Sequence, residues 1–215
     1  MKLQVLISCM HEKDYSIVER TNVQSDAVVV NQCDENKVEE YTFTNNKGRE
    51  CKVILVNTTE RGLSKSRNMA IRYAKDADVC LICDDDEVLD DDYEETIINA
   101  FESTNRVDVA SFILKRDDGK GNLGEDELKM GIKEICKMSS VHLAFRREAI
   151  IEAEIVFDEM IGSGSGNGGG EDTKFMMDCK RKGLKMRYFP KRIGELLPSE
   201  SQWFEGWNKK LLIDS

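Results

Sequence analysis

The apolar run Val79-Cys80-Leu81-Ile82-Cys83 passes straight into Asp84-Asp85-Asp86-Glu87, with no glycine, proline or asparagine between the two. Consecutive apolar residues without alternation describe a strand covered on both faces, as in a parallel sheet held between layers of helix. Carboxylates crowded at the end of such a strand repel one another unless solvent or a cation neutralises them. In an open α/β sheet, the carboxyl end of the strands is also where ligands bind. This junction therefore predicts both an architecture and the edge of it that carries chemistry.

The flanking sequence supports the same architecture. Leu3 to Ile7 reads as a buried first strand, Ser8 to Asp14 as a polar turn, Tyr15 to Arg20 as a short helix and Asp26 to Asn31 as a second strand. Residues 40–44 and 51–56 flank the turn-forming Asn45-Asn46-Lys47-Gly48 and read as a hairpin whose second arm joins the main sheet. Ser64 is placed to cap a helix from Lys65 to Ala74. A helix over 92–101 and a strand over 107–114 continue the alternation. The charged, glycine-bearing stretch from Lys115 to Asp126 reads as a loop, and residues 131–137 and 141–146 read as short strands, an antiparallel addition. Residues 161–170 hold six glycines and open onto a helix with Glu171 and Asp172 in its first turn and Gly183 at its end. At 215 residues the chain suits a single domain. The expectation is one Rossmann-like α/β domain, with a mixed, mainly parallel central sheet flanked by helices.

Charge narrows the ligand. A net charge of -10 excludes a partner recognised chiefly through a phosphate backbone, so no nucleic acid is expected. An anionic nucleotide still fits if a divalent cation stands between its phosphates and the carboxylates. The seven cysteines are an odd, scattered set in a chain that opens without a signal peptide, and no run approaches the roughly 20 apolar residues of a membrane span. The expected compartment is the reducing cytosol. Cys80 and Cys83 form a C-x-x-C on opposite faces of one strand, without a second pair to complete a zinc site, and read as small buried hydrophobes.

Two motifs carry chemistry. The acidic run, taken alone, fits either a solvated loop continuing through Asp90-Asp91-Asp92 or a cation and ribose site built from Asp84 and Asp86, with Asp85 turned away. An EF-hand is excluded, because the glycine and the closing glutamate are not at the required spacing. The second motif, Gly168-Gly169-Gly170-Glu171-Asp172, fits either ordinary helix capping or a general base held ionised at a helix start, next to glycines that let backbone approach a bulky substrate. It is neither a dinucleotide fingerprint nor a phosphate loop.

Together these residues, with Gly62-Leu63-Ser64-Lys65-Ser66-Arg67-Asn68-Met69-Ala70 upstream, resemble the family 2 glycosyltransferases of GT-A fold, over residues 1 to about 190. The resemblance implies an inverting transfer of a sugar from a nucleotide diphosphate donor, with UDP-sugars favoured, to the hydroxyl of a saccharide or lipid-linked saccharide, in cell-surface polysaccharide or glycolipid synthesis. It assigns nucleotide-sugar contacts to Ser8, Asp34, Asp84 and Asp85, the base contact falling to Asp34 and the ribose to Asp84. The metal, Mn2+ or Mg2+, falls to Asp86, and the catalytic base to Asp172. Glu171 and Gly169 fall on the acceptor side. Arg67 lies near the nucleotide by the resemblance, with a helix-surface position as its alternative. His142 reads as a core or acceptor-side residue rather than a ligand. The first 114 residues form the donor part and 115–215 the acceptor part with its tail. Trp203 in that tail is either a lid on a sugar or an edge that touches the inner face of the membrane, or it simply packs on the domain. A sugar nucleotidyltransferase and a catalytically silent nucleotide-sugar-binding module are the alternative readings.

Overall fold

The computed structural model describes residues 1–102, 106–116, 119, 121–165, 167 and 169–197. In chain order the elements are β1 (Leu3–Met10), α1 (Ile17–Arg20), β2 (Asp26–Gln32), β3 (Lys37–Thr44), β4 (Glu50–Thr58), α2 (Leu63–Tyr73), β5 (Val79–Asp84), β6 (Glu87–Leu89) and α3 (Tyr93–Glu102). They continue with β7 (Val109–Lys115), β8 (Leu128–Lys129), α4 (Ile132–Ile135), a 3-10 turn at Ser140–His142, β9 (Leu143–Arg146), α5 (Arg147–Glu152), α6 (Glu171–Arg181) and β10 (Met186–Leu196). Trp203, with the rest of the C-terminal tail, and Gly168 lie outside the described residues.

The ten strands among the described residues join one sheet in the order β3-β4-β2-β1-β5-β9-β7-β10-β6, with β8 added on β10. β4, β2, β1 and β5 are mutually parallel, as the unbroken aliphatic runs predict. β9 enters antiparallel between β5 and β7, so β7 and its parallel neighbour β10 point the same way as β5. The main strands thus present their carboxyl ends on a single rim. Two apolar clusters cover the two faces: Cys83 belongs to one and Cys80 to the other, and burial lifts the Cys80 thiol to about 12, as suits an inert core residue. Every cysteine is free. Among the described residues no helix is long and apolar enough to cross a membrane.

Several local expectations are corrected. β1 does not give way to a turn at Ser8 but continues to Met10, because β2 offers backbone partners as far as Gln32. Helix α2 starts at Leu63 with Gly62 at its cap, so Ser64 does not cap it; the Ser64 hydroxyl donates to the Ile161 carbonyl at 3.2 Å instead. Residues 132–135 form a helical turn rather than a strand, since the Glu134 carboxylate accepts the Gly131 N–H at 2.9 Å and turns the chain. β10 is a long strand that periodicity conceals. Its register against β7 slips between Tyr188 and Arg192 and again before Gly194, and Pro190 sits inside the first slip, where its missing N–H costs no ladder bond.

Gly194 marks the close approach of β6 to β10. A Cβ there would lie 2.5 Å from the Val88 carbonyl oxygen and 3.2 Å from Leu114 Cδ1. Gly194→Ala is expected to lose roughly 1–3 kcal/mol of stability by overpacking, measured as a lower urea midpoint at unchanged slope.

Candidate active site

The rim collects three segments that are far apart in the chain. Arg67, in α2, is 2% exposed, which excludes the helix-surface alternative. Its Nη2 donates to both oxygens of Asp84, at 3.1 and 3.2 Å, and its Nη1 donates to Asp172 Oδ1 at 2.7 Å. One guanidinium therefore ties the carboxyl end of β5 to the first turn of α6. A planar fork on a delocalised cation can serve two carboxylates at once, which a lysine cannot do with the same geometry. The Arg67 face also lies over the Phe157 ring, 5.4 Å from its centroid, and that ring stacks on Phe175 of α6 at 4.1 Å.

Asn68 fixes the same helix turn to the Phe157 backbone. Its amide donates to the Phe157 carbonyl and its carbonyl accepts the Phe157 N–H, both at 2.8 Å. Upstream, the Leu63 N–H donates to the Ser163 carbonyl at 3.0 Å, and the Gly62 N–H to Gln32 Oε1 at 2.8 Å. Gly62 has φ +121, a value that L side chains rarely adopt. The Gly62–Asn68 segment is thus both the wall of the site and the dock for the glycine-rich loop.

The acidic turn is crowded. Asp84 is held above the ordinary carboxylate range, first by burial and then by the Asp172 and Asp86 charges, which together outweigh Arg67. Burial, with Asp84 and Asp86 beside it, pushes Asp85 up to about 6. Asp85 is within electrostatic reach of Glu12, just past β1, and of Arg20, at the end of α1. Glu87 is buried beneath the turn, where its Oε1 accepts the Asp84 N–H at 2.8 Å; burial and Asp84 hold it well above its usual range. The Asp86 carbonyl accepts the Leu197 N–H at 2.8 Å, tying the turn to the end of β10.

The remaining expected residues divide. Ser8 is buried within β1, one strand from Asp84, and receives the Ser66 hydroxyl at 2.8 Å, so it supports the floor of the rim rather than a polar turn. Asp34, beyond the end of β2, is 90% exposed at its side chain and pairs with Arg61 at 2.8 Å. Asp172 Oδ2 accepts the Ser140 N–H at 3.1 Å, a contact that no sequence signal foreshadows. Glu171 is buried against Gly162, where a Cβ would lie 2.7 Å from its carboxyl carbon; burial and Asp172 raise its pKa. Gly169 lies beside the Glu171 carboxylate, 3.8 Å from Oε2 to its Cβ position. His142 is fully buried against Gly121, two residues from Ser140. Glu87, Asn68 and Ser140 complete the machinery. The first two stand inside the quoted motifs, but only the fold reveals what they touch.

Among the described residues no group of three or more His, Cys, Asp or Glu side chains is placed to enclose a metal ion. The rim donors are all hard carboxylate oxygens, and Asp84, Asp85, Asp86 and Asp172 gather about a single guanidinium. This set fits magnesium or manganese in a shell shared with a ligand's phosphates, and not a cage built from protein alone.

Comparison with known proteins decides the class. The chain matches the model of glycosyl transferase family 2 over residues 15–156. It belongs to that family. No curated protein matches it by sequence. Among solved structures, residues 1–349 of S. aureus TarS in complex with UDP-GlcNAc share its fold with a TM-score of 0.69 at 16% identity, over 97% of this chain and 62% of that one. The mannosyltransferase PcManGT from Pyrobaculum calidifontis, in complex with GDP-Man and Mn2+, gives a TM-score of 0.59 at 16% identity, over 93% of this chain and 58% of that one. The family 2 domain thus has the expected GT-A fold and spans about 60% of those two chains.

Proposed function

We propose that this family 2 domain is an inverting glycosyltransferase that moves a sugar from a nucleotide diphosphate donor, a UDP-sugar by preference, to a hydroxyl of a saccharide or lipid-linked saccharide. The observation that carries the reading is the Arg67 bridge, which joins the Asp84-Asp85-Asp86 turn to Asp172 on the rim where an α/β sheet binds ligands. TarS binds UDP-GlcNAc and PcManGT binds GDP-Man in the structures named above, in keeping with a nucleotide-sugar donor.

In this reading the donor lies along the carboxyl ends of β1, β2 and β5. Asp34 reaches the base, Asp84 and Asp85 the ribose side, and Ser8 supports the floor. Asp86 would hold Mn2+ or Mg2+ at the donor's diphosphate. The metal, when bound, offsets negative charge on the diphosphate. Asp172 uses one lone pair on each oxygen for Arg67 and Ser140 and keeps others for an acceptor hydroxyl. It takes the hydroxyl proton as that oxygen bonds to the anomeric carbon from the far side. The bond from the anomeric carbon to the diphosphate breaks, and the nucleoside diphosphate leaves with the electron pair. No covalent enzyme intermediate is needed. Glu171, Gly169 and the chain from residue 115 onward shape the acceptor side. Synthesis of a cell-surface glycan at the inner face of the membrane is the setting that suits this chemistry.

Calorimetry of UDP with and without manganese tests the donor site. The native protein is expected to bind UDP with metal, and Asp86→Ala to lose about tenfold or more of that affinity, as when one charged ligand is withdrawn from a metal. Failure of the native protein to bind UDP, GDP or dTDP under either condition overturns the reading.

A further inference from the structure

The opposite rim carries a second, chemically different cavity. It lies at the amino ends of β7 and β10, has a volume of about 440 Å3, and is lined by Arg106, Lys129, Lys180, Lys185 and Arg187. Leu184 and Met186 complete its described lining, which includes no carboxylate. Five cations in one concavity run against the field of a chain whose net charge is -10.

Local partners neutralise only part of this charge. Arg106 pairs with Asp108 at 2.8 Å, and Arg187 with Glu127 at 3.4 Å. Lys180 Nζ donates to the Met130 carbonyl at 2.8 Å, which orients the ammonium without cancelling its charge. Lys129, Lys180 and Lys185 form no ion pair among the described residues. Arg187 Nε is buried and has no hydrogen-bond partner among the described residues. β8 exists only through its pairing with β10, and that pairing sets Lys129 directly across from Arg187. Three backbone elements thus converge like charges that repel one another, an arrangement that an anion would relieve.

We propose that this cavity is an anion site that takes a phosphate-bearing ligand, separate from the donor rim. Its volume falls in the range of small-ligand sites, and its apolar floor and cationic walls suit a phosphate group carried on a less polar body. β10 spans the sheet between the two rims with 11 residues, a separation on the order of 30 Å, so one ligand molecule of nucleotide size cannot fill both. The site does not depend on the catalytic reading of the donor rim.

The test uses inorganic phosphate as probe, titrated calorimetrically into the whole chain at low salt with EDTA present, so that no metal bridges phosphate to the acidic rim. A parallel arm measures flotation with phosphatidylcholine vesicles, with and without phosphatidylglycerol, to tell a free phosphate from a lipid headgroup. The comparison protein is Lys129→Glu/Lys185→Glu, with Lys129→Gln/Lys185→Gln in its place should the reversal lower the melting temperature. Phosphate binding or phosphatidylglycerol-dependent flotation is expected in the native protein, weakened by about tenfold or more in the variant, while manganese-dependent UDP binding is unchanged. If the native chain binds neither probe, or the variant binds as the native does, the proposal is overturned.

Discussion

Asp172→Asn is expected to lower the turnover of the donor by roughly 10²–10⁴-fold, the usual contribution of a positioned general base. The change is isosteric and keeps an oxygen that can accept from Arg67 or from the Ser140 N–H, so the α6 first turn should stay in place. What is lost is the carboxylate that takes the acceptor proton. The diagnostic is the split between steps: release of nucleoside diphosphate from the sugar donor that the native enzyme turns over should collapse, while calorimetric affinity for that nucleotide with manganese stays within about threefold. A variant that loses binding and turnover together would instead mean that Asp172 shapes the donor pocket through Arg67. A variant that keeps native turnover would remove Asp172 from the reaction.

Arg67→Met carries the largest expected effect on stability. Asp84 and Asp172 both lean on the buried guanidinium, and its removal leaves two carboxylates, with Asp86 close by, facing one another without a cation. Breaking a buried charge pair by deleting one partner costs about 3–5 kcal/mol. For a chain of this size that corresponds to a fall in melting temperature on the order of 10 °C. Methionine keeps much of the stem volume against Phe157, so the loss reports charge rather than a cavity. Arg67→Lys should recover only part of it, because an ammonium cannot place two forks on Asp84 and Asp172 together. Thermal unfolding of the two variants, followed by circular dichroism, checks this. Melting temperatures equal to the native value in both would mean that solvent and counterions already neutralise the rim, and that the bridge has no structural weight.

These two experiments separate roles that one side-chain network joins. Arg67 is a positioning residue: it touches the proposed base and the β5 carboxylate, and acts on substrate through them. Its loss should move stability and turnover together. Loss of the Asp172 carboxylate, with Arg67 still paired to Asp84, should move turnover far more than stability.

Much of the frame was legible before any coordinates. Unbroken aliphatic runs at β1, β2 and β5 imply strands covered on both faces, and the acidic cluster implies the rim, because both patterns are local and each follows from the cost of burying or crowding the groups concerned. An antiparallel strand over 141–146 was legible too, but its insertion between β5 and β7 was not. β10 was not: the slip around Pro190 breaks its alternation, and its pairing energy comes from β7, about eighty residues earlier in the chain. Nor was the turn at α4, which one carboxylate decides by capping Gly131.

The local sequence by itself determined which residues are chemically able to act: carboxylates after a buried strand, a carboxylate at a helix start, an arginine in the helix that precedes both. Only the tertiary structure decided which of them meet. Arg67 could lie on a helix surface by sequence, and it is buried because α2 docks on the Phe157–Phe175 stack and brings its guanidinium between β5 and α6. Ser8 could head a turn, and it lies inside a strand because β2 and β5 pair on either side of it. The physical reason is the same in each case. Periodicity and charge patterning report neighbours in the chain, whereas the partners that settle these side chains lie from about twenty to more than one hundred residues away.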